Sequence, residues 1–261
     1  MSESLEATKR LIEECSEEDQ RALKLYLRRL SPHPLEAKWD IDADTILSAI
    51  DRSSDLTKRG VRGIIAEAIF VTEVLPSIDA WGWHPVEFEG DRPYDVLVEK
   101  GGREARVQVK LQRLQEREPK LYYPKYYDEE RLYVVEVQKT RTGERATKTT
   151  APVADAVVET VEEVTIKKTR PYSFGDFDIL AVNMHPSSHD WRSFRYTVAS
   201  WLIPRVSDPK LIETFQPVAA VANEVWTDSL VTCLRWFEEG GNRSVLAKFL
   251  HPRRGSTKAV L

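Results

Sequence analysis

Only two cysteines, Cys15 and Cys233, occur in 261 residues. So few thiols exclude a disulfide framework or a cysteine-rich zinc site, and they suit a reducing cytoplasm. No apolar run reaches the roughly 18–20 residues needed to cross a bilayer. The opening stretch MSESLEATKRLIEECSEED carries acids where a secretory signal would be apolar. The expectation is a cytoplasmic protein without a membrane span. An excess of positive charge is missing too, since the formal net charge is -4. Proteins that coat nucleic acid without selection are usually basic, whereas a site-selective enzyme can keep a basic cleft on an acidic body. Internal repeats and low-complexity tracts are absent as well. What remains is a chain with 41% hydrophobic residues, ordinary for a globular protein. Its length fits one large domain, or a core with a helical appendage.

The first 55 residues read as helical. Leu5, Ile12, Leu23, Leu27 and Leu30 supply apolar positions over 3–30, and Ser16 before Glu17 and Glu18 predicts a helix restart with Ser16 as N-cap. Ser31-Pro32-His33-Pro34 reads as a breaker. A second helical stretch is expected near 42–53, and a third over 59–75 with Val61, Ile64, Ile65, Ala68, Val71 and Leu75 as its apolar stripe, ended by Pro76. From residue 81 the period changes. WGWHPVEF (81–88), YDVLVEK (94–100) and ARVQVKLQR (105–113) read as strands, the last two joined across Gly101-Gly102. RLYVVEVQ (131–138) and FDILAVNM (177–184) are two further strands, the second apolar enough for a central position covered on both faces. Residues 139–172 form a polar insertion, 226–238 a late helix, and the tail from His251 a loosely ordered end. The division expected is a helical region 1–55 and an α/β domain 56–261.

The hairpin carries the chemistry. Alternation puts Gln108 and Lys110 on one strand face, with Val107 and Val109 turned into the core. The Gly-Gly turn folds that strand back on the one that carries Asp95. Phosphodiester cleavage needs an activated water and neutralised phosphate charge, and a divalent ion serves both needs. Mg²⁺ prefers oxygen ligands and keeps several waters. Asp95 is then the anionic ligand, the Val109 carbonyl and the Gln108 side-chain oxygen complete the protein share, and Lys110 orients the water and stabilises developing charge. The plain alternatives are an Asp95 that caps a turn or pairs with Arg106, and a solvated stripe of Gln108 and Lys110.

Asp95…Gln108-Val109-Lys110 resembles the PD-(D/E)xK nuclease superfamily, typified by type II restriction endonucleases. The match spans residues 60–113, about a fifth of the chain. Tyr94 stands where the motif has proline, with Pro93 one place earlier, and Gln108 stands where it has an acid. The family often carries a glutamate on the helix before its first core strand, and Glu67 in GIIAEAIF fits that place. The later stretch TRPYSFGDFDILAVNMHPSSHDW also looks like the part of restriction enzymes that follows the motif. The resemblance implies an α/β fold, a mixed central sheet flanked by helices. It implies a Mg²⁺-dependent, sequence-specific endonuclease acting on double-stranded DNA as a homodimer. Asp95, Gln108, Lys110 and Glu67 would be catalytic, with Asp95, Gln108 and Val109 on the metal. The alternatives are a junction, repair or mobile-element nuclease of the same core, or a DNA-binding module without catalysis.

Candidate DNA contacts are Gln112 and Arg113 just beyond Lys110, and Lys139, Arg141, Arg145, Lys148, Lys168 and Arg170 in the insertion. Lys167 belongs to the second basic segment. Tyr122, Tyr123, Lys125, Tyr126 and Tyr127 form an aromatic and basic cluster that packs on a sugar-phosphate backbone or on the sheet edge. His185 and His189 have i, i+4 spacing, but Pro186 and two serines between them favour a loop over a zinc site.

Overall fold

In a computed structural model, residues 2–122, 131–150 and 162–245 are described, with backbone only over 140–150 and 162–170. Tyr123, Lys125, Tyr126, Tyr127 and the tail from His251 lie outside them, as do the side chains of Arg141, Arg145, Lys148, Lys167, Lys168 and Arg170. Two compact units divide at Val61 and Arg62.

The first unit is helical: α1 (Glu3–Glu14), α2 (Glu17–Leu30), α3 (Pro34–Trp39), α4 (Ala43–Arg52) and the start of α5 (Asp55–Ile69). Ser2, Ser16, His33 and Asp42 each accept a backbone N–H at a helix start, so local side chains satisfy donors that the helix itself leaves open. Ser31-Pro32-His33-Pro34 does more than break a helix. Pro34 opens α3 with His33 as cap, because proline is tolerated in a first turn, where its missing N–H has no partner to lose. The Glu36 carboxylate in turn accepts from the His33 N–H at 2.7 Å. Arg28 on α2 meets Asp44 on α4 at 2.7 Å. No residue of α1–α4 is buried.

The second unit is α/β. The chain continues from α5 through a π turn (Phe70–Val74) and a 3-10 turn (Leu75–Trp81). Then come β1 (His84–Val86), β2 (Val96–Lys100), β3 (Arg103–Leu111), β4 (Leu114–Gln115), β5 (Glu118–Pro119), β6 (Leu132–Glu136), β7 (Gln138–Thr150), β8 (Glu162–Pro171) and β9 (Ile179–Asn183). After α6 (His185–Ser188) follow β10 (Phe194–Val198), β11 (Pro204–Arg205), β12 (Asp208–Ile212), β13 (Phe215–Ala219) and α7 (Leu230–Glu239). The main sheet runs β1-β2-β3-β9-β10, antiparallel except for the parallel pair β3–β9. It is a mixed five-stranded sheet flanked by helices. All five residues of β9 are buried, as its apolar run predicts for an interior strand. β6 pairs instead with β13 in a separate ribbon, and β7 pairs antiparallel with β8 across the insertion.

The apolar stripe expected on the third helix is corrected. Of that stripe Leu75 is buried and Val61 half-buried, but Ile64, Ile65, Ala68 and Val71 are exposed, and Ala66, Phe70 and Ile78 are buried in their place. The segment carries apolar side chains on two faces, and contact chooses between them. Phe70 meets Phe194 edge-on at 5.7 Å and Tyr196 at 6.4 Å, so the stripe led by the aromatic ring turns to the sheet. The regular helix also ends at Ile69, before Pro76, which lies in the first turn of the 3-10 segment.

Candidate active site

Two glycines and a run of alternating apolar residues make the β2–β3 hairpin. Gly101 and Gly102 have φ of 59° and 84°, the left-handed backbone a two-residue hairpin turn demands, and Lys100 pairs with Arg103 across them. Val96 opposes Val107 and Val98 opposes Ala105, all four buried. The Asp95 N–H donates to the Val107 carbonyl at 3.0 Å, which carries the ladder one residue further and sets Asp95 across from Gln108. On the other side β9 holds β3 in register, Leu180 beside Gln108 and Val182 beside Lys110. The active face therefore has an apolar strand as its neighbour, and its polar groups lose much of their water.

Asp95 Oδ2 accepts from the Val109 N–H at 2.8 Å and from Gln108 Nε2. Gln108 is 1% exposed. Its oxygen accepts from the Tyr172 hydroxyl at 3.1 Å. The amide thus turns its nitrogen toward Asp95. A bare carboxylate only accepts, so the amide must offer it a donor. Arg106 does not pair with Asp95. It holds Asp178 through Nε at 2.7 Å, on the neighbouring strand's approach.

Electrostatics tie three side chains together. Desolvation raises the Asp95 pKa above its ordinary value, against Lys110 and its two hydrogen bonds, which lower it. Desolvation lowers the Lys110 pKa, while Asp95 and Glu67 raise it. On α5, Glu67 is partly buried; desolvation first and Asp95 second raise its pKa, and Lys110 lowers it. Two carboxylates and an ammonium thus share a poorly hydrated region, a pattern common in functional sites. Among the described residues no group of three or more His, Cys, Asp or Glu is placed to hold a metal ion by itself. The oxygens that converge are the carboxylates of Asp95, both of whose hydrogen bonds fall on Oδ2, and Glu67, with the Val109 carbonyl, which accepts from Gln108 Nε2 at 3.3 Å; the Gln108 oxygen lies at the far end of its amide, against Tyr172. That set fits a hard cation which keeps water, such as Mg²⁺, and does not fit zinc.

Of the expected nucleic-acid contacts, Gln112 lies inside. It is 1% exposed and neither polar atom of its side chain is paired, so it does not meet a phosphate at the surface as expected. Arg113 pairs with Glu136 and stacks over the Phe215 ring at 5.0 Å. Lys139 belongs beside the site: its Nζ is 3.3 Å from Asp176 and 5.4 Å from the Tyr172 ring centre. Tyr172 is the residue that sequence reasoning missed. It stands 64 positions after Gln108, and no periodicity links the two. Its only signal was an aromatic residue shortly before the apolar β9 run. His185 stacks on Trp191 at 3.9 Å and His189 ends α6 in a left-handed turn. Cys233 and Trp226 are core residues, both 0% exposed.

Among the described residues, no helix is long and apolar enough to cross a membrane. No protein-family model and no curated protein matches the chain. Among solved structures it is similar to a bacterial homing endonuclease, I-Ssp6803I, at a TM-score of 0.29 and 17% identity over 63% of this chain and 79% of that one. A likeness that slight carries no weight in assigning an activity, which has to be argued from the side chains.

Proposed function

We propose that the chain is a Mg²⁺-dependent, sequence-specific endonuclease that cuts double-stranded DNA as a homodimer. The observation that carries this reading is the meeting of the Glu67 and Asp95 carboxylates with Lys110 and the Gln108 amide at one end of the hairpin, in a desolvated place. Asp95 would hold the cation with the Val109 carbonyl and Gln108, and Glu67 would add anionic charge directly or through water. Bound there, the ion supplies a Lewis acid for the phosphate and a more acidic water. Lys110 orients that water and offsets the charge that develops on the phosphate; its lowered pKa brings it closer to exchanging a proton. Gln108 in place of an acid leaves the donor set one charge short, which raises the Mg²⁺ concentration needed. Lys139, close to Tyr172, would meet the phosphate backbone. Two copies related by a two-fold axis would each cut one strand of a palindromic site.

The hydrogen bond from Gln108 Nε2 to Asp95 favours one other reading, a DNA-binding module without catalysis, because it satisfies the carboxylate without a metal. One experiment separates the two. The protein is incubated with a long DNA of known sequence, in Mg²⁺ or in EDTA. Discrete fragments that need Mg²⁺ support the endonuclease and reveal its site. Intact DNA together with a gel shift supports the binding module. On supercoiled plasmid the dimer yields linear product with little nicked circle, and light scattering gives twice the monomer mass; a monomer mass with and without DNA overturns the dimer.

A further inference from the structure

The Gln108 amide is enclosed, so each of its ends needs a partner inside the protein. Its nitrogen donates to Asp95 and, at 3.3 Å, to the Val109 carbonyl, and its oxygen has the Tyr172 hydroxyl. Tyr172 is itself 4% exposed and fixed on several sides. Its carbonyl accepts from the Ile212 N–H at 2.8 Å, and its ring stands edge-on to Phe177 at 5.3 Å. Lys110 Nζ lies 5.5 Å from the same ring centre. The phenol thus touches both Gln108 and the catalytic lysine, although it belongs to a distant part of the chain.

A hydroxyl donates as well as accepts, and carboxylate oxygens only accept. Beside a bare Asp95 the amide must show its nitrogen, and the phenol donates to the oxygen left behind. Beside an Asp95 that holds a cation the preference reverses: the oxygen is drawn to the positive charge, and the phenol accepts from Nε2 after turning its own proton. Burial and nearby Asp95 push the Tyr172 pKa up, so the hydroxyl keeps its proton. We propose that Tyr172 is a positioning residue for Gln108, pairing with the amide in both orientations and so letting it turn over when a divalent cation binds Asp95. This rests on the metal-site reading above. A glutamine can then stand where an acid would be ordinary, because its neutral end serves the empty site and its oxygen serves the filled one.

Tyr172→Phe keeps the ring and removes only the hydroxyl. Binding of Mg²⁺ and of Ca²⁺ is measured by calorimetry on the wild type, Tyr172→Phe, Gln108→Ala and the double variant, with cation-free melting curves to verify folding. Removing an outer partner of a metal ligand commonly weakens metal binding about tenfold or more. The expected result is therefore about a tenfold weaker cation affinity in Tyr172→Phe, and less than about a twofold change when the same substitution is made in Gln108→Ala, since the hydroxyl acts only through the amide. Unchanged affinity in Tyr172→Phe, or an equal loss in both backgrounds, overturns the positioning role. The side-chain amide of Gln108, assigned in an NMR spectrum by its loss in Gln108→Ala, provides a second readout on the wild type that does not depend on the variant folding. It should move when Ca²⁺ is added; a signal that stays put while calorimetry records binding overturns the turnover of the amide. A wild type that binds neither cation overturns the metal site itself, which distinguishes that failure from this one.

Discussion

In α1–α4 every helix begins on a side chain that caps it, and none buries a residue. In β2 and β3 the opposite holds. Val96, Val98, Ala105 and Val107 are buried, and with them the polar Gln108. The helical region is made by rules that act over three or four residues: a Ser or Asp before the first turn, acids near the start of a helix, basic residues near the end of α2. The hairpin is made by a turn, by β9 on its far side and by the core beneath. The difference teaches where each region is vulnerable. A helix whose faces are open loses only its local contacts when a side chain is cut back. A buried strand loses packing, and one of its faces also carries the polar groups of the site.

The sharpest way to test that contrast is at the carboxylate. Asp95→Ala should reduce cleavage by about a thousandfold or more, the scale of several kcal/mol in a barrier, with a melting temperature close to that of the wild type. A variant that cuts DNA at near the wild-type rate in Mg²⁺ would break the site apart. Lys110→Ala comes next, with a loss of about a hundredfold or more in cleavage. DNA binding should persist in a gel shift, because one phosphate contact is a small part of a large interface; binding lost together with cleavage would make Lys110 an anchor instead.

Stability then compares the two regions directly. Leu180→Ala, in the buried strand beside Gln108, should cost about 2–5 kcal/mol by denaturant unfolding. Leu25→Ala, on a half-exposed face of α2, should cost under about 0.5 kcal/mol. Equal costs would mean that α2 is covered in solution, by a second copy or another partner. The smallest effect belongs to the cap. Ser16→Ala removes the acceptor for the Asp19 N–H at 3.2 Å and should cost about 1 kcal/mol of local helix stability. Hydrogen exchange over the first turn of α2 reads that loss; unchanged protection there would show that Asp19 and its neighbours hold the turn without Ser16.

The same contrast explains what was legible. Ser16 as a cap, the helix near 42–53 and the strand from Ile179 could be read because each is announced within a few residues. The pairing of Asp95 with Gln108 was legible because Gly101-Gly102 fixes the hairpin register, and register fixes which side chains share a face. The buried face of α5 was not. Two apolar stripes compete along that helix and the turn that continues it, and the rings of Phe194 and Tyr196 against Phe70 choose between them. The burial of Gln112 was illegible for the same reason. A glutamine on an alternating strand reads as surface until the bridge from Gln112 to Val135 brings β6 against it.

The sequence by itself determined the helical start, the hairpin, the apolar inner strand and the placing of Asp95 across from Gln108, since turns, caps and alternation are short-range and cost little to encode. Tertiary structure alone decided which way the Gln108 amide faces. Its two ends are nearly alike in shape, and besides the neighbouring Val109 carbonyl the choice falls to a carboxylate 13 positions before it and a phenol 64 positions after it. No local rule connects groups so far apart along the chain. Only the closing of β3 between β2 and β9, with Tyr172 over the same face, brings them within hydrogen-bonding distance.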